Sequence, residues 1–298
     1  MLDNRRLRDP HARRFHETED VMTRSEQLTG NRNSLIEKAA DRLAAAANTR
    51  IPCAPVRDLL GETDINVAYQ VQQRLVEDHR HTTAAEVVGR KIGLTAPAVQ
   101  RQLGVDQPDF GVLFDDMDVS GLATVPYERL LQPKVEAEVA FVLGADLDSP
   151  DLDLTLVRDA VAYATAALEI VDSRVAEWDI TITDTIADNA SSGLFVLGDR
   201  KVPLSEFTPV DVTMSMHIDG ELASDGTGAA CLGDPLAALL WLARTAQTFG
   251  SPLRAGQVIL SGALGPMAPV SPGVSVRAEI STLGTVNAVF GQGGARCP

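Results

Sequence analysis

The sequence predicts an α+β protein in which a small helical part precedes a main domain built as a mixed β roll or sandwich. Helical periodicity comes first, over residues 34–47 and 64–79. From residue 86 onward the chain changes to short Val-rich strands that alternate irregularly with helices. This irregular order, without strict β-α-β alternation, favours the α+β class over a doubly wound parallel sheet.

The helical part has recognisable start signals. Ser34 and Glu37 have the spacing of a capping box, so we expect the first helix to begin there and to run to about residue 47. The second begins near Asp64. Residues 1–30 mix arginines and acids without an apolar period, which predicts a disordered tail and leaves open whether translation starts at Met1 or Met22. The predicted division is therefore a tail (1–30), a helical part (31–84) and the main domain (85–292).

The alternation of apolar and polar residues, together with turn-forming residues, predicts the elements of the main domain. Residues 212–218 alternate apolar and polar side chains, and Asp219-Gly220 then predicts a hairpin turn. Asp234-Pro235 is typical of a helix start. We expect strands at 86–94, 112–114, 135–143, 167–172, 212–218, 258–261, 274–280 and 285–290, and helices at 95–104, 154–164 and 234–249.

Composition excludes several classes of protein. The 298 residues are 45% hydrophobic and 22% charged, which is typical of a soluble globular chain. A net charge of −15 repels nucleic acid and anionic membranes, so neither is an expected partner. No apolar run is long enough for a membrane span or a secretory signal. Three scattered cysteines form no disulfide framework, which favours the cytoplasm.

Paired carboxylates are the most informative local feature. Residues two apart on a strand share a face, so Glu136 and Glu138 lie side by side, and Glu169 is the one acid within another apolar strand. Like charges on a half-buried face are costly unless a cation neutralises them, and oxygen ligands suit Mg²⁺ or Mn²⁺. The alternative is a strand that presents alternating Glu side chains to solvent.

Three further residues are candidates. Lys91 lies in a mostly apolar strand, where it either extends to solvent or is held in a closed pocket as a proton donor or acceptor. Asp109, between Pro108 and an aromatic residue, is first of all a turn former. Ser191 lies in a loop of small polar residues that suits contacts to a carboxylate. Histidines lack zinc-ligand spacing, and GxGxxG, P-loop and GxSxG motifs are absent from the sequence.

At these positions the sequence resembles the 2-oxopent-4-enoate (2-hydroxypenta-2,4-dienoate) hydratases of the fumarylacetoacetate hydrolase superfamily. The resemblance extends from about residue 51 to residue 290. The segments that carry it are VGRKIGLTAPAVQRQLGVDQPDFGVLFDDM (88–117), LQPKVEAEVAFVL (131–143), ALEIVDSRVAEWDITITDTIADNASSG (167–193) and VILSGALGPM (258–267).

The resemblance implies a role for each candidate. Glu136, Glu138 and Glu169 match metal-binding carboxylates. Lys91 matches the lysine beside the substrate, Asp109 the aspartate of the Pro-Asp-Phe loop, and Ser191 a small polar residue near the substrate. Lys91 and Asp109 are the candidates for proton transfer and water positioning, in either assignment. It also implies a hydro-lyase that adds water to 2-hydroxypenta-2,4-dienoate, giving 4-hydroxy-2-oxopentanoate in the meta-cleavage degradation of aromatic compounds. Members commonly form homo-oligomers, and an aldolase is the expected downstream partner.

Three alternatives remain at this stage. The first is a 2-oxo-3-hexenedioate (4-oxalocrotonate) decarboxylase of the same superfamily, for which an added basic residue in the pocket would speak. The second is a C–C hydrolase, which needs a His–Glu pair that the sequence does not offer. The third is a non-catalytic partner subunit of a decarboxylase, and the presence of Lys91 and all three glutamates argues against it.

Overall fold

The computed structural model describes residues 10–96, 100 and 107–293, with side chains from residue 30 onward. The helices of this part are α1 (Pro10–Thr49), α2 (Arg57–Leu60), α3 (Ile65–Thr83), α4 (Leu154–Ala160), α5 (Ile182–Ala187) and α6 (Pro235–Thr248). The strands are β1 (Val87–Gly93), β2 (Asp109–Phe114), β3 (Lys134–Leu143), β4 (Val161–Val171), β5 (Leu194–Leu197), β6 (Thr213–Ile218), β7 (Glu221–Thr227), β8 (Val258–Ala263), β9 (Ala268–Pro269), β10 (Ser275–Ile280) and β11 (Gly284–Val289).

The larger sheet has the order β2-β1-β8-β3-β4-β5, with β9 paired to β3. Only β1 and β8 pair in parallel within it. The chain leaving β2 reaches the opposite edge of this sheet, where Asp118 forms a bridge with Phe195 and the Val119 amide donates to the Phe195 carbonyl at 3.0 Å. The two edges therefore meet, and the sheet curls into the predicted mixed roll.

The smaller sheet is antiparallel, in the order β11-β10-β6-β7, and it packs against β4 and β5. The hairpin between β6 and β7 turns at Asp219 and Gly220, whose φ angles are +50° and +88°. Positive φ at both central residues is the hairpin geometry that an Asp-Gly pair favours. The predicted turn is confirmed.

Both faces of the larger sheet are buried, and they differ in character. Its outer face, with Val139, Phe141 and Leu168, joins the main hydrophobic core that includes α6. Its inner face carries a separate apolar cluster together with three acids, Glu136, Glu138 and Glu169. The buried members of that inner cluster are Leu113, Ala140, Ala167, Phe195 and Leu260. The inner face of the roll is thus the place where charge enters an otherwise apolar interior.

The predicted helix starts near residues 64, 154 and 234 agree with the structure, and the one at residue 34 does not. Asp64 accepts a hydrogen bond from the Val67 amide, and Asp234 from the Leu236 amide, so both are N-caps. The capping box at Ser34 is wrong, because α1 begins at Pro10 and Ser34 lies inside it. Proline is favoured in a first helical turn, and no further proline interrupts residues 11–49.

Two other expectations differ from the structure. Residues 10–29 are helical rather than disordered, and residues 1–9 lie outside the described part. The helix predicted over residues 154–164 ends at Ala160, because the β-favouring Val161 and Tyr163 belong to β4 instead. Of the helix predicted at 95–104, only Thr95, Ala96 and Gln100 are described. The division into three parts stays a prediction. No helix within the described residues combines the length and apolar character needed to cross a membrane.

A buried carboxylate joins the helical part to the main domain. Asp184, on α5, accepts hydrogen bonds from the backbone amides of Val56 and Arg57, both at 2.8 Å, and from the Arg57 guanidinium at 2.7 Å. Its side chain is 0% exposed. The same arginine also pairs with Asp179, whose side chain is 66% exposed. The two partners of Arg57 thus differ in burial and in the two backbone amides from which Asp184 also accepts.

This difference predicts unequal stabilities for two matched variants. Asp184→Ala leaves buried amides and a cation without their acceptor, so we expect the free energy of unfolding to fall by about 3–5 kcal/mol. Asp179→Ala removes an exposed ion pair and is expected to cost less than about 1 kcal/mol. Denaturant titration of both variants measures the two values, and equal losses would show that Asp184 does not anchor the helical part.

Candidate metal centre

Strand register brings three glutamates together. In the antiparallel pair of β3 and β4, Glu136 lies directly opposite Glu169, and Glu138 is two residues further along the same face of β3. Each of the three supplies one carboxylate oxygen to a group in which all oxygens lie within 4.8 Å of one another. The predicted convergence of the three carboxylates is confirmed.

The local sequence explains why these carboxylates face inward. Val135, Ala137 and Val139 alternate with the two glutamates of β3 and are buried in the main core. Their burial against the outer layer forces Glu136 and Glu138 onto the inner face, because a strand has a period of two. The solvent-facing alternative is therefore excluded.

Several oxygens of this cluster have no partner among the described residues. Glu138 Oε2 accepts a hydrogen bond from the Gly262 amide at 2.7 Å, but Glu138 Oε1 and Glu169 Oε2 accept none. Glu138 is 0% exposed and Glu169 is 1% exposed. A buried carboxylate without a partner costs several kcal/mol. A divalent cation would offset this cost, and an all-oxygen donor set suits a hard cation. The residues present therefore fit a metal site.

The pKa shifts of the three glutamates also favour a bound cation. Burial first, and then the charge of Glu169, raise the pKa of Glu136 to about 7. Burial and the two neighbouring glutamates raise the pKa of Glu138 well above its ordinary value. Burial also raises the pKa of Glu169, against the opposing effect of Lys91. Three carboxylates that resist ionisation together are an environment that a cation would stabilise.

Lys91 balances part of this negative charge. Its Nζ lies 3.1 Å from Glu169 Oε1, and its side chain is only 3% exposed. Burial lowers the pKa of Lys91, but the charges of Glu169 and Asp109 outweigh burial, and the net direction is upward. Lys91 is therefore an ammonium held inside the roll, and the alternative of a side chain extending to solvent is excluded.

Asp109 lies beside this lysine. It is the first residue of β2, opposite Gly93 of β1, rather than part of a turn. A Cβ atom placed on Gly93 would be 2.3 Å from Asp109 Oδ1 and 3.5 Å from Lys91 Nζ, so a glycine here is what allows the two side chains to approach. Burial raises the pKa of Asp109, with Lys91 acting in the opposite direction. Its Oδ1 has no hydrogen-bond partner among the described residues.

Ser191 is held near Asp109 by an unusual turn. Asn189, Ala190 and Ser191 all have positive φ, between +52° and +53°, and left-handed backbone is costly for residues other than glycine. The Asn189 side chain holds this turn against β2, accepting from the Val112 amide at 2.7 Å and donating to the Val112 carbonyl at 2.9 Å. The backbone strain of the turn is thus offset by contacts that fix the position of Ser191.

Three residues of the site were missed in the sequence. Gly93 and Gly262 are needed for close approach and for an amide donor, and Thr185 donates a hydrogen bond to Asp109 Oδ2 at 3.1 Å. The sequence around Thr185 offers no signal, because Thr183 is two residues away and equally buried. The two threonines differ in the side of α5 on which they lie, because Thr185 is on the side that packs against β2.

Fold and site together define the class of protein. The family model for the C-terminal domain of fumarylacetoacetate (FAA) hydrolase matches residues 94–290, which contain the three glutamates and Asp109. A solved structure of 4-oxalocrotonate decarboxylase from Pseudomonas putida G7, complexed with magnesium and adipate, is 31% identical with a TM-score of 0.81. The match covers 87% of this chain and 98% of that chain. The chain is a member of the FAA hydrolase superfamily.

Relatives of known function show to which family within this superfamily the chain belongs. The chain is 50% identical to the TodF product hydratase of Pseudomonas putida, over 89% of this chain and 98% of that protein. It is also 50% identical to the 2-keto-4-pentenoate hydratase of Burkholderia vietnamiensis, over 87% of this chain and 98% of that protein. The chain therefore belongs to the 2-keto-4-pentenoate hydratase family. The compounds 2-keto-4-pentenoate and 2-oxopent-4-enoate are the same.

The geometry predicts a metal-dependent rise in stability that Glu138 controls. Mg²⁺ added to the metal-free protein is expected to raise its melting temperature, because a ligand that binds only the folded state stabilises it. The Mg²⁺ affinity of Glu138→Gln should fall at least about tenfold, because a mutation that only removes a hydrogen bond to a metal ligand can already cause a loss of that size. The metal-free variant should melt no lower than metal-free wild type, since one of three like charges is removed.

Calorimetric titration and thermal melts test this prediction. Glu128→Gln, an exposed glutamate outside the site, serves as the control and should bind Mg²⁺ as wild type does. Unchanged Mg²⁺ affinity in Glu138→Gln would rule out the carboxylate cluster as the metal site.

Proposed function

We propose that this protein is a hydro-lyase that adds water to 2-hydroxypenta-2,4-dienoate, the enol of 2-oxopent-4-enoate, and forms 4-hydroxy-2-oxopentanoate in meta-cleavage aromatic catabolism. The observation that carries the proposal is a buried cluster of three carboxylates beside an ammonium group, in a chain 50% identical to hydratases over most of its length.

Glu136, Glu138 and Glu169 would hold the cofactor, which we propose to be Mg²⁺ or Mn²⁺. Their oxygens are hard donors and too few to fill the coordination of such a cation, which leaves positions for water and substrate. When bound, the cation supplies positive charge that polarises a 2-oxo acid and stabilises negative charge on its C2 oxygen.

Proton movement is assigned to Lys91 and Asp109. Overall, the enol hydroxyl loses a proton and C5 gains one, and water then contributes its hydroxyl to C4 and a proton to C3. Lys91 is a buried cation beside Glu169, and the donation of a proton is assigned to it because its ammonium group adjoins the carboxylate cluster. Asp109 Oδ1 accepts no hydrogen bond from the residues that the structure describes and is suited to orient the attacking water and accept its proton. Ser191 is proposed to contact the substrate or that water.

The inner apolar cluster supports the hydratase over the decarboxylase. Ala140 and Ala167 are two residues from Glu138 and Glu169 on the same strand faces, so the surface next to the carboxylates is hydrocarbon. Of the basic side chains described, Lys91 is the one that pairs with the carboxylate cluster. A dienoate ending in a hydrocarbon tail suits such a surface, whereas a second substrate carboxylate would find no further basic partner in this cluster among the described side chains.

The family resemblance extends the proposal to partners and location. We propose a cytoplasmic homo-oligomer whose product is taken up by an aldolase that cleaves 4-hydroxy-2-oxo acids. The net charge of −15 keeps nucleic acid and anionic membranes out of the list of expected partners.

A direct assay tests the proposed reaction. Purified protein with Mg²⁺ and freshly prepared 2-hydroxypenta-2,4-dienoate is expected to remove the dienol absorbance and to form 4-hydroxy-2-oxopentanoate, identified by mass spectrometry. A parallel reaction contains 2-oxo-3-hexenedioate. Carbon dioxide release from this second substrate, without hydration of the first, would replace the hydratase by the decarboxylase.

Lys91 provides a sharper test of the mechanism. Lys91→Met keeps much of the side-chain volume but cannot transfer a proton, so we expect kcat to fall roughly 10²-fold or more. Mg²⁺ affinity should not decrease, because an ammonium is not a ligand and its loss removes a positive charge that repels the cation. Lys201→Met, which changes an exposed lysine, is the matched control. Near wild-type kcat in Lys91→Met at saturating substrate would remove this lysine from the mechanism.

A further inference from the structure

Thr185 lies between two residues of the proposed site. Its Oγ1 donates to Asp109 Oδ2 at 3.1 Å and is 3.5 Å from Ser191 Oγ. All three residues are buried, with Thr185 at 4%, Asp109 at 1% and Ser191 at 3% exposure. The threonine hydroxyl is the one link that joins the aspartate to the left-handed turn carrying Ser191 among the hydrogen bonds of the described residues.

The direction of these hydrogen bonds follows from their chemistry. A carboxylate can only accept, so the single hydroxyl proton of Thr185 points to Asp109. The contact between the two hydroxyls is then formed by Ser191 donating to Thr185. Ser191 consequently presents lone pairs, rather than a proton, to the site. It suits a water molecule or substrate hydroxyl better than a substrate carboxylate.

Hydrogen bonds between α5 and the helical part fix the backbone position of Thr185. Its neighbour Asp184 accepts three hydrogen bonds from residues 56 and 57 of the helical part, and the Thr185 amide bonds to the Thr181 carbonyl at 3.1 Å. A β-branched side chain has few rotamers, so a fixed backbone leaves the hydroxyl little freedom. Asp109 Oδ2 therefore has a donor that does not move with the substrate.

We propose that Thr185 is a positioning residue of the hydration reaction: its hydroxyl orients Asp109 so that Oδ1 faces the reacting water, and it sets the direction in which Ser191 accepts. The inference rests on the proposed function, because it assigns Thr185 to the same site. Thr185 itself touches neither substrate nor metal in this scheme and acts through Asp109 and Ser191.

The chain offers a matched control on the same helix. Thr183 is also buried, but its hydroxyl donates to the Gly61 carbonyl at 2.8 Å and faces the helical part. Thr185→Val and Thr183→Val each replace a buried hydroxyl by a methyl group. Both are expected to lower the melting temperature, because each removes a hydrogen bond donated by a buried hydroxyl. Only the first should change the chemistry.

The experiment compares kcat, KM and pH profiles of Thr185→Val, Thr185→Ser and Thr183→Val with Mg²⁺ and 2-hydroxypenta-2,4-dienoate. Thr185→Val should lower kcat roughly tenfold or more, the scale of a lost hydrogen bond to a charged group, with KM changed much less. Thr185→Ser should restore most of kcat. Loss of the donor destabilises the Asp109 carboxylate, so the limb of the pH profile that reports Asp109 should move to higher pH in Thr185→Val and not in Thr185→Ser.

The outcomes separate this inference from the proposed function. A wild-type protein that does not hydrate the dienoate overturns the proposed function before any variant is measured. With an active wild type, the positioning role is overturned if Thr185→Val keeps wild-type kcat, if Thr185→Ser is as slow as Thr185→Val, or if Thr183→Val loses as much kcat as Thr185→Val. The combination of a slow Thr185→Val, a rescued Thr185→Ser and an unaffected Thr183→Val supports it.

Discussion

The repulsion between three carboxylates on the inner face of one sheet is the constraint on which the rest of the structure depends. Glu136 and Glu169 face each other across β3 and β4, and Glu138 has no exposure to water. Such an arrangement is unfavourable by itself; one amide and one ammonium offset part of the repulsion, and a bound cation would offset more of it. The roll supplies the low dielectric that makes each of these interactions strong.

The remaining features of the site follow from closing the roll around that charge. The segment that follows β2 closes against β5 at Asp118 and encloses the inner face, where Glu138 and Glu169 are almost completely buried. The strained turn at residues 189–191 and the missing side chain at Gly93 both let backbone and side chains approach more closely than ordinary packing allows. The inner apolar cluster then gives a short hydrocarbon substrate a surface beside the polar end of the site.

Alternation and turn chemistry made much of this predictable. The ExE spacing determines a shared face for Glu136 and Glu138, and the apolar run around Glu169 indicates burial, so convergence required only that β3 and β4 be neighbours. The start of α1 was missed because a good capping signal at Ser34 competed with a proline-free segment that continues the helix. Thr185 was missed because its role depends on a contact 76 residues away, which no local pattern reports.

The anchoring of α5 has a consequence for the order in which the protein assembles. The metal-site carboxylates come from two adjacent antiparallel strands, whereas Asp184 bonds to a backbone amide 128 residues away. Contacts of such separation carry a larger loop-closure entropy and form late. Pairing of β3 with β4, which sets the three glutamates opposite one another, is therefore a local event of the chain, whereas the docking of residues 56 and 57 on α5 depends on two segments that are distant in the sequence.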